Sequence, residues 1–185
     1  MENLDSILDG EQTDKTSDIE VQHIISLNKF IFLSIISLGL YEVWWMYKSW
    51  RFFQQKEKLD IYPVLRALFG IFFLHALIVK IMNGASSKGH IAKDYTPTFL
   101  FIGFVITNLL SRLPGNYWIV SVLSFVFLIP PFQALNYAKL HSEDVITVEQ
   151  HSYNGRQIAV IIVGFIFWAF IIVSMSAEIL GIDKI

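Results

Sequence analysis

The sequence predicts an all-α fold, a polytopic bundle of about five transmembrane helices. Three observations carry this: the chain is apolar overall, its apolar residues gather into bilayer-length stretches, and most charges lie between those stretches. Of 185 residues, 54% are hydrophobic and only 16% charged, with a mean hydropathy of +0.52, whereas a soluble domain carries about 25% charged residues. A water-soluble chain of this length needs a polar exterior, and the polar residues here are too few and too clustered to provide one. Lipid is the solvent that fits.

Residues 1–17 are polar and without periodicity, which predicts a disordered acidic tail; residues 18–185 form the helical membrane domain. Ser17 and Glu20 have capping-box spacing before Ile24, Ile25 and Leu27, predicting a helix that starts near Asp18 and runs on into the first span. Segment one, about Leu27 to Tyr47, is long enough to cross about 30 Å of hydrocarbon. It ends in Trp44, Trp45, Tyr47, Lys48 and Trp50, aromatic and basic anchors of the kind found at a membrane interface. A rival reading breaks it at Gly39 and lays residues 41–55 in the interface, giving four spans plus one interfacial helix.

Segment two, about Ile61 to Met82, carries Pro63 in its first turn, where a missing N–H costs nothing. Segment three runs from about Pro97 to Leu113, and Pro114, Gly115 and Asn116 then make a tight turn, so segments three and four form an antiparallel hairpin. Segment four starts at Tyr117; Pro130 and Pro131 remove two backbone donors and are expected to kink or break it. After a polar loop over residues 141–156, Gln157 to Leu180 is the cleanest span. Ser34 and Ser37 are echoed by Ser121 and Ser124, and Gly70 and Phe73 by Gly164 and Phe167, but such matches arise easily among membrane segments.

Charge is distributed unevenly. Residues 1–20 hold seven carboxylates against Lys15, about −6, so the remainder of a chain with net charge −2 sums to about +4. That suits loops beside anionic headgroups and is too weak for a nucleic-acid surface. The absence of cysteine excludes disulfides, thiol nucleophiles and thiolate metal sites, and the acidic N-terminus is unlike a cleaved leader. On five spans the Lys and Arg count is tied between the two faces. The densest cluster, Lys48 to Lys58, favours that loop and the C-terminus as cytoplasmic.

Ionisable residues inside the spans are the candidate functional residues. Counted at about 1.5 Å per residue, Glu42 and Arg66 fall at matching depth on consecutive helices, which predicts a salt bridge between segments one and two. Asn108, Arg112 and Glu178 fall in the same half of the membrane, giving one polar cluster whose plainer role is to staple helices together. His75 lies nearer the other surface and is expected to hydrogen-bond between helices. His141, His151 and the acids around them lack ligand spacing, and no catalytic fingerprint appears, so no metal and no cofactor is called for.

The run Leu38-Gly39-Leu40-Tyr41-Glu42-Val43-Trp44-Trp45-Met46-Tyr47-Lys48, together with Ser111-Arg112-Leu113-Pro114 and Ile129-Pro130-Pro131, resembles a family of uncharacterised bacterial multi-pass membrane proteins. The resemblance implies a bacterial cytoplasmic membrane and carries no activity. The expected role is a non-enzymatic accessory or interaction component, whose partners are the bilayer and either a second copy or another membrane protein. The alternative is a small oligomeric transporter or channel built around Glu42 and Arg66.

Overall fold

The structure is a computed structural model that describes residues 20–90, 95–114 and 118–179, without the side chains of 177–179. The expected tail over residues 1–17, the Ser17 cap and the side chain of Glu178 lie outside these. The described chain is mostly helical: α1 (Leu27–Ile36), α2 (Leu40–Glu57), α3 (Pro63–Leu68), α4 (Gly70–Ser86), α5 (Pro97–Leu109), α6 (Trp118–Ser121), α7 (Ile129–Leu140) and α8 (Gly155–Ile179). Two 3₁₀ stretches, Leu110–Arg112 and Val122–Leu128, extend α5 and join α6 to α7. Two short strands, β1 (Gln22–Ile24) and β2 (Thr147–Glu149), pair in parallel. Residues 118–140 and 155–176 are long and apolar enough to cross a membrane.

The helix expected from Asp18 begins later. Residues 22–24 are extended, and Ser26 caps α1 by accepting from Lys29 N at 3.4 Å. The register Gln22 to Thr147 and Ile24 to Glu149 ties the entry of the chain to the loop before α8.

Segment one is not a single helix. Leu38 and Gly39 both take left-handed backbone, φ 53° and 88°, and that pair of residues ends α1 and turns the chain back on itself. Phe30 on α1 therefore lies 5.9 Å from Trp45 on α2, and Glu20, before α1, reaches Lys48 and Arg51 near the far end of α2. The ten residues of α1 rise about 15 Å, half of the hydrocarbon thickness. The break at Gly39 is the one the rival reading placed there, but α2 packs inward: Tyr41, Trp45, Met46, Ser49, Trp50, Phe52 and Phe53 are all buried.

Segment two folds back as well. α3 runs antiparallel to α2, with Gln54 bonded to the Ile61 carbonyl at 2.7 Å and Arg66 over the Trp50 ring. At Phe69 the helix breaks, and α4 returns the other way, so that Lys80 meets Glu57 at 2.5 Å and Lys88 donates to the His141 carbonyl. Gly70 is the pivot, since a Cβ there would lie 3.0 Å from Met46 Sδ.

The hairpin of segments three and four is present. Phe99 and Gly103 on α5 pack on Phe127. Pro130 and Pro131 do not stop the helix; they occupy the first positions of α7, and the strain appears upstream as a 3₁₀ run of seven residues, longer than the usual three or four. The carbonyls of Val126 and Phe127 have lost their i+4 donors to proline, and tighter 3₁₀ bonding such as Ile129 N to Val126 O takes over.

α8 rises alongside α1. Tyr153 lies near Phe32, Gln157 donates to the Tyr41 hydroxyl at 3.3 Å, and the Trp168 indole donates to the Ile35 carbonyl at 3.2 Å. Beyond Gly164 the helix continues for fifteen residues, about 22 Å. Most of its apolar side chains, Phe165, Phe167, Phe170, Ile172 and Val173 among them, are exposed.

Candidate functional site

Folding back gathers charge at one end of the molecule. Lys29 bonds the Gln150 and His151 carbonyls, Lys48 and Arg51 meet Glu20 at 3.6 and 3.0 Å, Lys56 meets Asp144 at 3.2 Å, and Lys80 meets Glu57. The Tyr47 hydroxyl, 3.0 Å away, and then the Glu20 carboxylate push the Arg51 pKa further above its ordinary value. The opposite end carries Arg112, exposed beside Pro114.

The predicted Glu42–Arg66 salt bridge is not formed. Glu42 is 2% exposed in the first turn of α2, and Ser124 Oγ lies 3.1 Å from each carboxyl oxygen. Arg66 is half-buried on α3, stacked 4.5 Å over Trp50 and 5.3 Å from Phe73. The depth argument assumed straight helices, and both bend. Among the described residues the wider cluster does not assemble either: Asn108 bonds the Phe104 carbonyl of its own helix and Arg112 is exposed. His75 does bond between helices, Nε2 to Thr98 Oγ1 at 3.2 Å. Of the anchors, Trp44, Tyr47 and Lys48 are partly exposed, whereas Trp45 packs on Phe30 and Phe132 and Trp50 lies under Arg66, both in the core. His141 stacks on Tyr137 and His151 pairs with Glu149, each spent on a separate neighbour.

A residue that the sequence reading passed over is Lys139. It is 6% exposed near the end of α7, with Nζ 5.0 Å over the Phe52 ring. No hydrogen bond or ion pair to it is made among the described residues. The spacing that points it inward was readable: Phe132, Leu135 and Lys139 follow i, i+3, i+7 on the face that packs on α1 and α2. Lys139 lines a cavity of about 740 Å³ between α2, α7 and the start of α8. Lys48, Arg156 and Gln157 border its polar part, and Leu40, Trp44, Trp45 and Phe132 its apolar part. One carboxylate, Glu20, faces it, and that group also serves Arg51. Three cations against one shared acid make a cavity suited to an anion with an apolar portion. A second cavity of about 480 Å³, between α4, α5 and the 3₁₀ stretch, is mainly apolar, with His90 and Gln133 at its wall.

No protein-family model matches this chain, and no curated protein and no solved structure matches it either.

Proposed function

We propose that the chain is a multi-pass integral membrane protein with a non-enzymatic, accessory role, in which residues 97–112, 118–140 and 155–179 cross the bilayer. In place of the five crossings read from the sequence, residues 27–57 and 63–86 enter and leave by the same face as two helical hairpins. The single observation that carries this reading is α8. Twenty-five residues of almost unbroken apolar helix are packed along α1 and otherwise open to the surroundings, an exposure that lipid tolerates and water does not.

The end that gathers Lys29, Lys48, Arg51, Lys56, Lys80, Lys88, Lys139 and Arg156 is then the cytoplasmic face, and the end of α8 lies across the membrane from it. The likeness to bacterial multi-pass proteins supports a bacterial cytoplasmic membrane as the location. The transporter reading has less support: Glu42 is closed in by Ser124 and lines neither cavity, and Arg66 stands apart on another element. The open flank of α8 leaves room for lipid, a second copy or another membrane protein.

Alkaline carbonate extraction of membranes from expressing cells tests the reading. The full chain stays in the pellet if the helices cross, and its release into the supernatant overturns the proposal.

A further inference from the structure

We propose that the cavity between α2, α7 and the start of α8 binds the anionic, phosphate-bearing headgroup of a bilayer lipid, with Lys139 as its buried counter-charge. The inference rests on the membrane reading above. An ammonium group taken out of water without a partner is costly, and a single ring face at 5.0 Å offsets part of that. Lys139 is nonetheless buried at the cavity wall, where its Nζ has no acceptor among the described residues. An anion placed between Lys139, Lys48 and Arg156 supplies the missing charge. Gln157, whose amide already bonds the Tyr41 hydroxyl and the Asn154 backbone, holds the neighbouring wall in place.

The shape favours a lipid over free phosphate. The cations stand at the charged end of the molecule, and the same cavity is also lined by Trp44, Trp45 and Leu40, the last 71% exposed. A headgroup at the cations and the start of an acyl chain against Trp44 and Leu40 would fill both parts. The volume lies within the range of about 300–1,000 Å³ common for ligand pockets. Trp44 also sits 5.7 Å from the Arg156 guanidinium, so the polar and apolar walls meet at one side chain.

The test uses the full chain purified in dodecyl maltoside, with thermal unfolding followed during titration with dioleoylphosphatidylglycerol, dioleoylphosphatidylcholine or inorganic phosphate. Phosphatidylglycerol is expected to raise Tm by about 5 °C or more near saturation, phosphatidylcholine and inorganic phosphate by far less. Lys139→Met, which keeps the length of the side chain and removes its charge, is expected to abolish the difference between the two lipids. Lys88→Met, at the same end but bonded to the His141 carbonyl outside the cavity, is expected to keep it. Equal shifts for both lipids, a full preference surviving in Lys139→Met, or an equal loss in Lys88→Met would overturn the proposal. Inorganic phosphate matching phosphatidylglycerol would overturn the lipid assignment. If Lys139→Met does not accumulate, Lys48→Met/Arg156→Met, altered at the cavity mouth, is read by the same criteria. A chain retained after carbonate extraction but without lipid preference refutes this inference alone, whereas release by carbonate refutes the membrane reading whatever the titration shows.

Discussion

Adding one methyl group at two glycines should change stability in opposite directions. Gly84, in α4, has nothing within 4 Å of an added Cβ, whereas a Cβ at Gly164 would lie under 3.0 Å from the Ile36 carbonyl oxygen. Gly84→Ala gains helix propensity of up to about 1 kcal/mol and meets no clash. Gly164→Ala gains the same, but its methyl group meets backbone, which cannot rotate aside. Separating α8 from α1 costs about 1–3 kcal/mol in overpacking. It also stretches the Trp168–Ile35 hydrogen bond, worth about 1 kcal/mol. The net loss is about 1–3 kcal/mol. For a chain of this size each kcal/mol moves Tm by about 2–4 °C, so Gly84→Ala should unfold up to about 2–4 °C higher than the parent and Gly164→Ala about 2–12 °C lower. Differential scanning fluorimetry of the purified proteins in one detergent reads both. A Gly164→Ala protein that gains stability as Gly84→Ala does would show that α8 does not dock on α1 through this contact.

Two further outcomes concern the buried carboxyl group. Ser124→Ala removes the hydroxyl that lies 3.1 Å from both Glu42 oxygens and should lower stability by about 1–3 kcal/mol, the usual cost of leaving a buried polar group unsatisfied, with Glu42→Gln costing less because Ser124 can still bond to it. In a double-mutant cycle, Glu42→Gln and Arg66→Met should add within about 0.5 kcal/mol, as independent sites do; a larger coupling would restore the salt bridge that the bent helices rule out.

The last two apolar segments were the most legible, because residues 117–138 and 157–177 each run more than twenty residues without a charge and leave a chain few options. Also legible was the pairing of segments three and four, whose α5 and following 3₁₀ stretch, Val122–Leu128, pack together through Phe99, Gly103 and Phe127; the tight turn expected at Gly115 and Asn116 lies outside the described residues. The interhelical bond of His75 followed from its place on an apolar helix. What sequence periodicity does not report is direction. Leu38-Gly39 and Phe69-Gly70 reverse the chain within segments whose hydropathy is nearly continuous, and each reversal needs only one or two residues of unusual backbone. Read as continuous spans, these segments put alternate loops on alternate faces and divide the basic residues evenly; the rival break at Gly39 finds the first turn but not that α2 folds back into the core. With both hairpins folded back, the same lysines fall at one end. The partner of Glu42 was hidden for the same reason, as Ser124 lies 82 positions away. The strands were too short to carry a pattern, three residues each in an otherwise helical chain. Lys139 goes unnoticed beside the polar loop that starts at residue 141, although its spacing from Phe132 and Leu135 marks it as inward.

The arrangement of crossings is tested most directly by labelling single cysteines introduced into a chain that has none. Asp60→Cys, Ser87→Cys, Ser152→Cys and Leu113→Cys occupy the turn after α2, the end of α4, the loop before α8 and the end of segment three. With a membrane-impermeant maleimide applied to intact and then permeabilised cells, positions 60, 87 and 152 should react together, only after permeabilisation, and position 113 from outside. Opposite accessibility of positions 60 and 87, as five spans or four would require, would contradict the folded-back hairpins.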